Sequence, residues 1–240
     1  MTGEDSVVLR VNGLSRTYIT GKGVHSASFA VKRGEKVALV GPNGAGKTTL
    51  LEVLAGLVKP EAGFVELLGV PVSHERQYKT NLAYLPEQRG YPPYLSPRIA
   101  LRLAEKLWMQ PGLLDRFLKE ANRLDFDLSV MDQPIRTLSQ GNKEILSLAL
   151  VFSRQAQIYL LDEPEAHLDA IVREYLEERL QWLGNHEGKA VLWATHDVHM
   201  AARLADRVLV IKDGKLKPVG GTASGAAIVA AIRALETADD

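Results

Sequence analysis

"VALVGPNGAGKTTLLEVLAGL", residues 37–57, decides the fold. Val37 to Val40 is an unbroken apolar run of the type that forms a strand buried on both faces. After Lys47, Leu50, Leu51, Leu54 and Leu57 recur at three- and four-residue spacing, which predicts a helix. Between them "GPNGAGKT" (41–48) matches G-x-x-x-x-G-K-[ST] in full, in the strand–loop–helix setting that this motif requires. Gly41, Gly44 and Gly46 let the backbone curl so that several N–H groups point inward, with Pro42, Asn43 and Ala45 completing the loop. The helix start adds partial positive charge and Lys47 a full one. Thr48, followed by Thr49, can offer its hydroxyl to Mg²⁺. An ordinary glycine-rich turn has no reason to carry Lys-Thr at this offset, so the segment points to a bound nucleoside triphosphate.

Outward from this loop the chain alternates short β-branched runs with helical patterns, which predicts a mainly parallel α/β sheet. "IYLL" (158–161), "AVLWA" (190–194) and "RVLVI" (207–211) are further core strands. Asp162 closes the first of these and is placed to hold Mg²⁺ through water. Glu163 follows at the strand end, where ligands bind in such sheets, and can orient the water that attacks the γ-phosphate or accept its proton. His196, just past "AVLWAT", ends at the same sheet edge and can hydrogen-bond that phosphate. Before Val37, "VVLRV" and "SFAV", together with the later "GFVEL", read as short strands of an antiparallel layer. From about Arg89 to Arg136 the Val/Ile content falls, and proline-bearing loops and Leu-rich patterns ("IALRLAEKLW", "GLLDRFLKEANRL") predict an inserted helical subdomain within one domain spanning 1–240. The tail "TASGAAIVAAIRALE" reads as a short surface helix.

Composition excludes several classes. The 240 residues carry 29 basic and 29 acidic side chains, so counterion-driven nucleic-acid binding is not expected. No apolar run approaches the roughly 20 residues that cross a bilayer, and the acidic start "MTGEDSVVLRV" lacks the layout of a secretion signal. The chain contains no cysteine, hence no disulfide framework or thiolate chemistry.

A P-loop with a helical insertion leaves several families open. Six pieces in order narrow the choice: Tyr18, the P-loop, "LPEQRG" (85–90), "LSQGN" (138–142), "LLDEPEAHLD" (160–169) and "THD" (195–197). With these the chain strongly resembles the ATP-binding subunits of ABC transporters across nearly its whole length. The resemblance implies an ATPase using ATP and Mg²⁺, working with a transmembrane permease subunit at the cytoplasmic face of the cell membrane, as a homodimer or a heterodimer with a second ATPase subunit. It implies that two subunits face head to tail, so that Ser139 and the N–H of Gly141 meet the ATP held by the partner's P-loop. It also assigns Tyr18 to the adenine ring, Asp169 to the nucleotide site, and Glu87 to the position of the family's usual glutamine, near Mg²⁺ and the attacking water. Of Glu87 and Gln88 only one can face the nucleotide in an extended segment, and spacing from Tyr84 chooses Glu87.

Departures from the family pattern carry information. Gln140 and Asn142 replace Gly and Gln of the usual LSGGQ, and "PEQRG" replaces the usual glutamine loop. Both variants look like those of ABC-2-type exporters, which tilts the reading towards export, as does a chain that ends soon after "VIKDGKLKPVG". A groove for a cytoplasmic helix of the membrane subunit is implied near "RGYPPYLSPR" (89–98), with Tyr91, Tyr94 and Leu95 as anchors or, alternatively, folded back on the helices. Two other readings stay open: a soluble ABC-type ATPase of translation or DNA maintenance, against which stand the single cassette and the lack of sustained heptads, and a nucleotide-gated module without turnover, against which stand Lys47, Asp162, Glu163 and His196.

Overall fold

All five residues of β3 (Lys36–Val40) are buried in the computed structural model of the chain, which describes residues 6–19, 21–220 and 224–236. That strand lies at the centre of a six-stranded sheet. On one side stand β8 (Ala190–Thr195), β7 (Ile158–Asp162) and β6 (Leu82–Leu85), all parallel to it. On the other is β9 (Arg207–Lys212), also parallel, followed by the antiparallel edge strand β10 (Lys215–Val219). The order is β10-β9-β3-β8-β7-β6. A second, four-stranded antiparallel sheet, ordered β2-β1-β4-β5, is made of β1 (Val7–Thr17), β2 (Gly23–Lys32), β4 (Ala62–Leu67) and β5 (Val70–Pro71). These are the two layers that the sequence pattern predicts.

Because side chains alternate along a strand, the central sheet feeds two separate cores. Val37 and Leu39 join Leu160, Leu192 and the leucines of α1 (Lys47–Leu54) beneath the antiparallel layer. Ala38 and Val40 face the other way and join Leu161, Val191 and Trp193 against the remaining helices. Those helices include α5 (Gln140–Ser153), α6 (Ala170–Asn185) and α7 (Val198–Leu204), and, across the expected insertion, α3 (Pro97–Trp108) and α4 (Leu113–Arg123). Phe117 of α4 is fully buried and meets Phe126 edge-on at 5.9 Å, which ties the helical part together around an aromatic pair.

Several details differ from the sequence reading. The first helix ends at Leu54 rather than running through Leu57, because Gly56 takes a left-handed φ of 67° and the Tyr78 hydroxyl occupies the Leu54 carbonyl. Leu57 is therefore exposed, not core. A short helix, α2 (Glu75–Thr80), stands where the sequence offers only polar residues around one apolar anchor, the buried Tyr78. The tail forms α8 (Gly225–Glu236), which buries Ile228 in the helical core and so is docked rather than merely superficial. The first five residues of the acidic start, and Thr222 and Ala223 of the expected tail helix, lie outside the described residues. Among the described residues no helix is long and apolar enough to cross a membrane.

Candidate nucleotide site

Four parallel strands, β3, β8, β7 and β6, deliver their C-terminal ends to one sheet edge, and each end carries a residue singled out by the sequence. The P-loop follows β3, His196 follows β8, Asp162 and Glu163 end β7, and Glu87 follows β6. Topology alone thus brings together residues spread over more than a hundred positions.

The loop is held open by backbone pressed against it from two sides. A Cβ at Gly46 would sit 2.2 Å from the Gly23 carbonyl oxygen, and Gly46 has a φ of 106°. A Cβ at Gly41 would sit 2.2 Å from the Ile211 carbonyl oxygen. Gly41 is thus needed for close approach rather than for curling the chain. Lys47, buried, donates to the carbonyls of Gly41 (2.7 Å) and Pro42 (3.3 Å) and lies 3.2 Å from Glu163 Oε1.

Around this loop lies a cavity of about 500 Å³. It is lined by Pro42, Asn43, Gly44, Gly46, Lys47, Thr48 and Thr49 of the loop and helix start, by Tyr18 on one flank, and by Glu87 and Glu163 on the other. Tyr18 is partly exposed, with the Arg16 guanidinium 5.1 Å from its ring centre. Glu87 and Gln88 are both exposed, but only Glu87 is among the lining residues of the cavity. Lys22 and Gly23 line it as well. The sequence reading passes over both, since the turn they share with Tyr18 belongs to no motif and meets the P-loop only in three dimensions.

Asp162 is fully buried, and neither of its carboxylate oxygens has a hydrogen-bond partner among the described residues. Burial pushes its carboxyl up to about 6; the nearby Thr48 side chain pulls the other way, and Glu87 and Glu163 add to the rise. Two orphaned, buried anionic oxygens beside a P-loop threonine fit a divalent cation, which would supply the missing partner. Glu163 has a positive φ of 43°, which turns its carboxylate between two nitrogens: Lys47 on one oxygen and, on the other, His196 Nδ1 at 2.8 Å. Since a carboxylate only accepts, Nδ1 is the protonated ring nitrogen there. The His196 side chain is itself about two-thirds exposed. Glu165, another residue the sequence does not distinguish from an ordinary loop acid, accepts from the Thr195 hydroxyl, and burial raises its carboxyl above the usual range.

The remaining expected residues stand elsewhere. Asp169 caps α6 through Val172 N–H (2.9 Å), and Ser139 caps α5 through Asn142 N–H (3.2 Å). Gly141 is exposed in the first turn of α5, and a Cβ built on it would meet nothing within 4 Å. None of these three lines the cavity among the described residues.

A profile of the ABC transporter family matches residues 24–166. The chain belongs to that family. Its activity is accordingly that of an ATPase. Similar curated proteins include the SkfA peptide export ATP-binding protein SkfE of Bacillus subtilis, 36% identical over 87% of each chain. They also include the molybdate/tungstate import ATP-binding protein WtpC of Pyrococcus abyssi, 33% identical over 89% of this chain and 62% of the relative. The carnitine transport ATP-binding protein OpuCA of Listeria monocytogenes is 28% identical over 87% of this chain and 54% of its own length. Relatives thus include an export subunit and an import subunit, and the chain spans less than two thirds of the length of WtpC and of OpuCA. Among solved structures, an ATP-binding subunit of an ABC transporter superposes with a TM-score of 0.84 at 24% identity, covering 94% of this chain and 99% of the other. The dimeric cassette MJ0796, bound to ADP and phosphate, gives 0.77 at 22%, covering 89% and 99%.

Proposed function

We propose that this family member hydrolyses ATP as half of a head-to-tail dimer that drives an exporter, docked on a membrane permease at the cytoplasmic face of the cell membrane. The observation that carries the dimer is Gly141. Among the described residues, nothing outside its own helix turn lies within 4 Å of where its Cβ would stand, and glycine in a helix costs stability relative to alanine. A close external partner accounts for it, and a phosphate on a neighbouring protomer's P-loop is the chemistry that the free N–H groups of α5 would accept.

Within one protomer Lys47 and the loop N–H groups hold the phosphates, and Tyr18 stacks on the base. Thr48, Asp162 and Glu87 would hold Mg²⁺, which would supply charge neutralisation at the phosphates. Glu163 then serves as general base to the attacking water, with His196 holding its second oxygen in place. The Lys47 amine, held by the Gly41 and Pro42 carbonyls, lies 3.2 Å from Glu163, which places the phosphate-binding cation and the general base side by side. The export reading rests on the "PEQRG" and "LSQGN" variants and on the likeness to a peptide-export ATPase.

The permease contact fits a groove of about 390 Å³ beside Tyr84, where Leu57, Leu107 and Met109 are exposed and Trp108 lies under Arg154. The loop at 89–98 contributes less than its composition promises. Tyr91 packs back against the helical core, and Tyr94, though exposed, is stacked near Arg136.

The test is Glu163→Gln. It keeps ATP binding, lowers turnover by about 10²–10⁴ as expected for loss of a general base, and yields a lasting dimer with ATP in gel filtration. Normal turnover in this variant would remove Glu163 from its role, and a monomer at saturating ATP would remove the dimer.

A further inference from the structure

Arg89 and Glu144 form an ion pair between two segments whose proximity no sequence spacing foretells. Arg89 Nε lies 3.1 Å from Glu144 Oε2, and the two side chains are only 6% and 5% exposed. The other Glu144 oxygen accepts from the Gln140 side-chain amide at 2.7 Å. At the opposite end, the Arg89 guanidinium donates to the Pro86 carbonyl. One turn further along α5, Tyr91 packs against the helical core beside Ser147, whose hydroxyl donates to the Lys143 carbonyl (2.8 Å). Glu144 and Ser147 are three residues apart and so share a face of the helix. Two contacts on one face fix a loop against a helix far better than one.

The ends of this tie matter. Pro86 immediately precedes Glu87, which lines the nucleotide cavity. Gln140 lies between Ser139 and Gly141 at the start of α5. The connection therefore runs from the backbone beside one protomer's own nucleotide to the helix end that the preceding reading directs at the other protomer's nucleotide. A buried ion pair with both carboxylate oxygens engaged tolerates few alternative geometries, because leaving either charge unpaired is strongly unfavourable. It can transmit a displacement of the loop that a solvated contact would absorb.

We propose that Arg89, Glu144 and Gln140 are positioning residues that lock the first turn of α5 to the Glu87 loop, so that the state of one nucleotide site sets how Ser139 and Gly141 are presented to the other. The proposal rests on the head-to-tail reading. It assigns no contact with ATP to any of the three side chains. Glu144 acts through Gln140 on the helix end, and Arg89 acts through Pro86 on the loop. In the family pattern the place of Gln140 is a glycine, which has no side chain to reach Glu144, so this chain carries the tie at the very position where its signature departs from the common one.

The experiment measures two quantities in a Glu163→Gln background, where ATP-bound dimers persist. A fluorescent ATP analogue gives the affinity of the dilute monomer, and analytical ultracentrifugation with ATP gives the dimer dissociation constant. Glu144→Gln retains a hydrogen-bonding side chain but loses the ion pair. It is expected to change monomer affinity less than twofold and to weaken the ATP-bound dimer at least tenfold. In the otherwise native chain it should lower ATPase activity and flatten its dependence on ATP concentration. Gln140→Ala, at an exposed position where folding is not at stake, should weaken the dimer about threefold and have a smaller effect when combined with Glu144→Gln than alone. Unchanged dimerisation in both variants, or an equal loss of monomer affinity and dimerisation, would overturn the tie. If the reference Glu163→Gln protein itself stays monomeric with ATP, the head-to-tail reading fails instead, so the two failures are told apart.

Discussion

The P-loop and the start of α5 are both glycine-bearing helix entrances with free N–H groups, yet they stand in opposite relation to their own chain. At the P-loop every constraint is internal. Gly46 is pressed by the Gly23 carbonyl, Gly41 by that of Ile211, and the Lys47 amine is satisfied by two loop carbonyls and Glu163. At Gly141, among the described residues, nothing beyond its own helix turn lies within 4 Å of where a Cβ would stand. A glycine explained by its surroundings is a folding requirement. Gly141 is not so pressed, and its place at a helix entrance leaves it open to a partner outside the chain.

The sharpest way to break this comparison is to add one methyl group at each place. Gly46→Ala forces a side chain into a φ of 106° and to 2.2 Å from a carbonyl oxygen; strain and overpacking together should cost about 3 kcal/mol or more. Gly141→Ala meets open space in a helix and should leave the melting temperature unchanged or slightly higher, while ATPase activity falls at least tenfold and ATP no longer yields dimer. Chemical denaturation and a phosphate-release assay read the two effects. Equal stability loss at both sites would erase the distinction, as would a fully active Gly141→Ala enzyme.

The second test concerns Asp162, where internal satisfaction is incomplete. Its carboxyl, ordinarily ionising near 3.8, is pushed to about 6 by burial. A folded-state value above the unfolded one means that the folded protein holds the proton more tightly. The stabilisation is therefore complete below about pH 3.8 and is lost as pH rises through 6, so at neutral pH the folded protein carries a buried charge that Thr48 and Lys47 offset only in part. At about 1.36 kcal/mol per unit this amounts to a cost on the order of 3 kcal/mol. Asp162→Asn should thus be more stable than the native chain at pH 7.5 without Mg²⁺, with the gain reduced to about half at pH 5. It should also lose Mg²⁺-dependent turnover and the stabilisation that Mg²⁺ with ADP gives the native chain. Thermal melts at the two pH values, with and without the ion, decide it; a variant less stable at pH 7.5 would show that the carboxylate is compensated.

How much of this could be read from the sequence follows from the range of the interactions. The P-loop is eight contiguous residues whose chemistry is local, and the two-layer sheet follows from strands whose alternation is local too. Asp162, Glu163 and His196 are legible because each ends a recognisable strand, and parallel strands share an edge; Glu87 is legible only through the family resemblance and its spacing from Tyr84. Leu57 misled because periodicity continues past a helix that Gly56 and the Tyr78 hydroxyl terminate. Lys22, Glu165 and the Arg89–Glu144 pair are invisible because they are defined by contacts across long stretches of chain, with no spacing of their own. The purpose of Gly141 is the reverse case: the motif is plain in the sequence, and the structure contributes the empty space around it.

The smallest effect tests the cavity's other flank. Tyr18 sits at the end of β1, in a turn closed by hydrogen bonds from its own N–H to the Lys22 carbonyl and from Gly21 N–H to its carbonyl, each 2.8 Å. That turn is the one whose Gly23 carbonyl presses on Gly46, so the ring is carried by backbone already fixed to the P-loop. A partly exposed aromatic lining a nucleotide-sized cavity offers a face for the adenine, and stacking of this kind contributes on the order of 1 kcal/mol. The Arg16 guanidinium near the same ring offers a competing explanation, in which the tyrosine merely shields a surface charge. The two differ in what the nucleotide feels. If the ring stacks on adenine, Tyr18→Ala should weaken ATP binding several-fold and Tyr18→Phe hardly at all, and neither should alter the weak binding of inorganic triphosphate, which has no base. If Arg16 is its only partner, triphosphate and ATP should respond alike, because an unshielded guanidinium beside the cavity acts on charge rather than on a ring. Calorimetric titration of both ligands against the two variants separates these outcomes, and a Tyr18→Phe change as damaging as Tyr18→Ala would assign the role to the hydroxyl instead of the ring.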